Sequence, residues 1–193
     1  MKRMLFMVLL AVICSSGLFS QEKTKDAPNV TGFRAEFLSQ MAGVEKKILD
    51  LAEAVPQEKY SWRPMEGVRS ISEVYMHIAG ANYLFPSFVG IKTPAGIERD
   101  AETKVTEKAK VIAYVKASFD HIRKVITDTP DADLEKPAKM FGKETTVRDI
   151  FFNAGLHMHE HLGQSIAYVR MNNIVPPWTA EEQKVEQAKS TKK

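Results

Sequence analysis

A chain of 193 residues with 44% hydrophobic and 26% charged residues is long enough for one domain with a core that needs no cross-links. Its formal net charge is only +3, and Lys and Arg are scattered among Asp and Glu, which leaves no electrostatic footprint for nucleic acid. The single cysteine, Cys14, excludes an internal disulfide.

Residues 1–20 read as a secretory signal peptide. Lys2 and Arg3 form a positive start, Leu5 to Ile13 is an apolar run, and Cys14-Ser15-Ser16-Gly17 is small and polar. The run is short for a membrane-spanning helix, which needs about 20 residues. Removal after Ser20 would take away Cys14 and leave 25 basic against 24 acidic residues. The mature chain would then carry no thiol and no membrane segment, and its place would be periplasmic or extracellular. Any metal site must use His, Asp and Glu. Residues 21–30 read as a flexible leader, and Asn29-Val30-Thr31 matches a glycosylation pattern by chance.

Four amphipathic segments follow. Phe33, Phe37, Met41, Val44, Ile48 and Leu51 recur at three- and four-residue spacing and predict a helix over 31–54, ended by Pro56. Ser70 and Glu73 form a capping-box pattern for a second helix over 71–84, with Val74, His77, Ile78 and Ala81 on one side. The stretch 86–100, with two prolines and two glycines, reads as a loop. A third helix is predicted over 103–127 from Val105, Val111, Ile112, Val115, Phe119, Ile122, Val125 and Ile126. Phe141-Gly142-Lys143-Glu144-Thr145 reads as a turn with short extended flanks. The fourth helix is predicted from Thr146 to about Asn172, and Pro176-Pro177 closes it. The charged tail over 179–193 reads as frayed or disordered. No strand pattern competes, so the fold class is all-α, a four-helix bundle over 31–178.

The fourth helix carries Leu156-His157-Met158-His159-Glu160-His161. Residues i and i+4 share one helix face, so His157 and His161 can grip one divalent ion. Gln164 and Tyr168 continue that face, while His159 points roughly 160° away. His77, on the apolar side of the second helix, is a candidate third ligand. The spacing alone also fits a solvent-facing pair and a hydrogen-bonded core histidine. His121, after Asp120, reads as a solvated rim residue. A zinc-protease helix needs Glu directly after its first histidine, and Met158 stands there instead.

The order of several stretches resembles the DinB-like metalloenzyme superfamily. Leu51-Ala52-Glu53-Ala54-Val55-Pro56 with Tyr60-Ser61-Trp62-Arg63-Pro64 resembles the end of its first helix and the connector. Gly67 to Val74 leading to His77-Ile78-Ala79 resembles its second helix. Thr146-Val147-Arg148-Asp149-Ile150 with His157, His161, Gly163 and Gln164, then Tyr168 to Pro177, resembles its last. The resemblance implies an up-down-down-up four-helix bundle, often a homodimer, with a metal ion held by one histidine of the second helix and two of the fourth. Those positions are His77, His157 and His161. Many relatives have another histidine just before the last ligand, where this chain has Glu160. Known branches include transferases that use cytosolic low-molecular-weight thiols, one being a maleylpyruvate isomerase, whereas this chain reads as exported.

The resulting expectation is an exported metal-dependent hydrolase or transferase acting on a small molecule, with zinc or nickel as cofactor. Gln164 would orient a ligand or water, Tyr168 and Trp62 would line a pocket, and Glu160 is a candidate for a supporting role. A non-catalytic metal-stabilised bundle and a dimerising interaction module are the alternatives.

Overall fold

The computed structural model describes residues 30–98 and 100–191. The expected signal peptide, the sequon's Asn29 and all of the leader except Val30 lie outside the described residues. Within them the chain is mostly helical, with six α-helices and one two-stranded antiparallel sheet.

Helix α1 (Gly32–Ala54) buries Phe37, Met41, Val44, Ile48 and Leu51, the stripe read from the sequence. It stops at Val55, whose backbone is extended, the conformation favoured directly before Pro56. Helix α2 (Ile71–Ser87) starts from a complete capping box. The Ser70 side chain accepts from the Glu73 N–H, and the Glu73 carboxylate accepts from the Ser70 N–H. The connector adds to this start, because the Ile71 and Ser72 N–H groups donate to the carbonyls of Trp62 and Tyr60. Pro86 does not end the helix as its position suggests. Phe85 and Pro86 are both buried, which carries α2 through its last turn, and the Phe88 and Ile91 N–H groups close the end on Phe85 and Pro86 carbonyls.

The single helix expected over 103–127 is two. Helix α3 (Ala101–Lys104) and helix α4 (Lys108–Asp128) are separated at Val105–Glu107. The side chain of Gln57 explains the break. Its amide donates to the Thr106 carbonyl at 3.1 Å, and its oxygen accepts from the Lys108 N–H at 2.6 Å. That clip satisfies one of the unpaired donors with which α4 begins.

Strands β1 (Pro137–Met140) and β2 (Lys143–Thr146) pair with Met140 opposite Lys143, joined by Phe141 and Gly142. Both joining residues have positive φ, 51° and 79°, as the tight hairpin turn of this twist requires. Phe141 is an unusual choice there, and its ring meets that of Phe88 at 4.9 Å. Helix α5 (Val147–Met171) follows at once, with Thr146 as N-cap accepting from the Asp149 N–H. The charged tail is helical as α6 (Pro177–Ser190), although none of its residues is buried. The Lys47 ammonium stands 5.5 Å from the centre of the Trp178 ring.

Helices α1 and α2 each pack against both α4 and α5. Ile48, Leu51, Ile78, Val115, Phe119, Ile122, Ile150 and Phe151 meet in the core, all fully buried. No described helix is long and apolar enough to cross a membrane.

Candidate metal centre

His77 lies one turn beyond Glu73 on α2, and the capping box fixes where that turn begins. Helix α5 lays His157 and His161 one turn apart on the face toward α2. One ring nitrogen from each of the three histidines falls within 4.8 Å of the others. The ring centres are 4.9 Å (His77–His157), 4.7 Å (His77–His161) and 4.4 Å (His157–His161) apart. His161 is buried, and the other two are half-buried.

Two of the three rings are oriented by acceptors. Oε2 of Glu102, on α3, accepts from Nδ1 of His77 at 2.9 Å. Oε1 of Gln164 accepts from Nδ1 of His161 at 2.8 Å. With Nδ1 as donor, each ring carries its lone pair on Nε2, the tautomer suited to a metal ligand. His157 completes the group with its Nε2 at 3.1 Å from Nε2 of His77. Two nitrogens that each lie about 2.0–2.1 Å from one zinc ion are themselves roughly 3 Å apart. The donor set therefore fits a small divalent ion. The Nδ1 atom of His157 is buried and has no hydrogen-bond partner among the described residues.

Burial favours the neutral form of two of the rings. Burial, then the neighbouring His161 and His77, then Arg69, push His157 down to about 4. Burial also lowers His77, although the Glu102 carboxylate opposes it. Neutral imidazole is the form that ligates a metal ion.

The remaining candidates divide. Gln164 holds His161 through Oε1 and donates from Nε2 to the Tyr168 hydroxyl at 3.0 Å. Trp62 meets Tyr168 edge-on at 5.5 Å, and Gln164 links Tyr168 to His161. Glu160 is exposed and forms no hydrogen bond or ion pair among the described residues. His159 is exposed on another face, bonded through Nδ1 to the Gly155 carbonyl. His121 is half-buried, with its ring 5.1 Å from that of Tyr83 and its Nε2 without a hydrogen-bond partner among the described residues.

Sequence reasoning missed Glu102 and Arg69. The Arg69 guanidinium donates from Nε to Oε1 of Glu102 at 2.7 Å, so one carboxylate joins Arg69 to His77. Neither residue lies on an amphipathic stripe, and the only signal was the need of a half-buried His77 for an acceptor. Phe85, whose ring is 5.7 Å from that of His157, also went unnoticed as a neighbour.

Residues 40–165 match the model of the DinB superfamily. The chain belongs to the DinB superfamily. The match contains all three histidines of the triad. A DinB-like protein from Bacillus cereus has a similar structure, with a TM-score of 0.66 and 17% identity over 74% of this chain and 95% of the other. A DinB-like protein from Bacillus subtilis gives a TM-score of 0.59 and 20% identity over 72% and 93% of the two chains. At these identities the DinB likeness is one of fold. No curated protein matches the chain.

Proposed function

We propose that this DinB-superfamily chain is an exported metalloprotein that holds one zinc or nickel ion through His77, His157 and His161. In this reading α1, α2, α4 and α5 form the up-down-down-up four-helix bundle, and the centre serves hydrolysis or group transfer on a small molecule. The observation that carries it is the convergence of three imidazoles within 4.8 Å, two of them backed by acceptors at Nδ1.

A zinc ion so held supplies Lewis acidity toward a carbonyl or phosphoryl group and makes water more acidic. The protein's part is to hold and orient. Glu102 keeps the His77 proton on Nδ1, and Gln164 does the same for His161. Tyr168 and Trp62 wall one side. Export rests on the N-terminal pattern. A homodimer is also proposed, for which the apolar cleft of about 520 Å³ between α1 and α5, edged by Phe152 and Leu156, is a suitable face.

A second reading has its own support. The carboxylate that reaches the triad, Glu102, is already engaged by Arg69 as well as His77, which leaves it poorly placed to act as a general base. The ion would then brace α2 against α5 without catalysis. Zinc and nickel titration of chelator-treated protein tests the centre: one ion per chain, with binding lost in His157→Ala, is expected. A wild-type chain that binds neither ion overturns it. Screening ester and phosphoester hydrolysis separates the two readings. Turnover that disappears in His157→Ala supports catalysis, and turnover unaffected by that change contradicts it.

A further inference from the structure

We propose that Glu102 is the positioning residue of the metal centre and that, through it, ion binding and the docking of α3 are one coupled equilibrium. This rests on the metal-binding reading above. Helix α3 has four residues, far too few to persist on its own hydrogen bonds. It is held from outside. Ala101 is buried in the core, and the Glu102 side chain reaches Arg69 with one oxygen and His77 with the other, at 2.7 and 2.9 Å. The anchor of this short helix is thus the group that decides which nitrogen of His77 carries the proton.

The coupling follows from the chemistry of one imidazole. His77 offers Nε2 to an ion only while its Nδ1 bears hydrogen. A carboxylate at Nδ1 favours that tautomer and makes Nε2 more basic. An ion at Nε2 withdraws electron density from the ring, and the Nδ1–H becomes a stronger donor to Glu102. Whatever α3 docking adds to ion affinity, ion binding must return to α3 docking by the same factor. Arg69, in the connector just before the Ser70 cap, pre-orients the carboxylate.

The test uses the full chain with zinc as the probe. Zinc affinity is measured by chelator competition for wild type, Glu102→Ala and Glu102→Gln. Hydrogen exchange is followed at the Lys104 and Val105 amides, which donate to Asp100 and Ala101 carbonyls. Glu102→Ala is expected to bind zinc about 10–100-fold more weakly. Glu102→Gln, which keeps an acceptor, is expected to recover most of that loss and also serves if the alanine variant folds poorly. Zinc should slow exchange of both amides in wild type but not in Glu102→Ala. A merely structural anchor would loosen α3 without this response to zinc. Unaltered zinc affinity in Glu102→Ala, or α3 exchange indifferent to zinc in wild type, overturns the coupling. A wild-type chain that binds no zinc overturns the centre itself and the coupling with it.

Discussion

Nε2 of His157 stands 3.1 Å from Nε2 of His77, while Nδ1 on the other side of the His157 ring is buried without a partner among the described residues. A proton added to this ring gains no acceptor and meets two other imidazoles. The folded protein therefore resists protonation here until about pH 4, whereas an unfolded chain takes the proton near the ordinary value of 6.5. Between those values the unfolded state binds more protons, so stability falls as pH drops from about 6.5 to about 4. His77, also lowered, acts in the same direction. Urea midpoints of the metal-free protein across this range should show the decline, and His157→Gln should flatten it. An equally steep decline in that variant would place the proton uptake elsewhere.

The start of α2 is a second point of leverage. Replacing Ser70 with Ala removes the acceptor for the Glu73 N–H. The expected loss is about 1 kcal/mol, or roughly 2–4 °C in Tm for a chain of this size. Glu73→Gln should cost less, because the amide oxygen still accepts from Ser70. Differential scanning calorimetry distinguishes the two.

Two helical glycines should respond oppositely to alanine. Gly43 on α1 has no atom within 4 Å of an added Cβ, so Gly43→Ala should stabilise by about 0.5–1 kcal/mol through helix propensity. At Gly155 the same Cβ would lie 2.9 Å from the edge of the Phe37 ring. Overpacking costs about 1–3 kcal/mol and offsets or exceeds the gain. Combining Gly155→Ala with Phe37→Leu should relieve the clash, giving a double mutant more stable than the sum of the two changes. Additive denaturation energies would refute the contact.

Inside the core, Asn82 donates to the Ser118 hydroxyl at 3.1 Å, and that hydroxyl donates to the Val115 carbonyl at 2.7 Å. Both side chains are fully buried. Ser118→Ala strands an amide N–H between α2 and α4 and should cost about 1–3 kcal/mol. Ser118→Thr should cost less if its methyl finds room. Equilibrium unfolding checks the order.

The parts of the molecule legible in the sequence are those governed by period. Phe37, Met41, Val44, Ile48 and Leu51 lie inside because burial and a 3.6-residue repeat agree. The same repeat turns His159 away from His157 and His161. Features set by a single side chain reaching across the fold were not legible. Gln57 divides the third predicted helix by bonding to Thr106 and Lys108 on either side of Glu107, which no local propensity records. Gln164 shares the histidine face, as the repeat predicts, while its bond to the His161 ring is a detail that spacing does not record. Glu102 escaped because α3 is shorter than any window in which periodicity has meaning.

One consequence lies in the distance along the chain between His77 and His157, 80 residues. An ion gripping both rings closes a loop of that length in a polypeptide whose sole cysteine is Cys14. By the loop-entropy relation for covalent cross-links, such a closure restricts the unfolded chain by roughly 4–5 kcal/mol where the link survives unfolding. Coordination at this triad would thus tether distant segments by a link that no reductant can cut and that acid or a chelator can open.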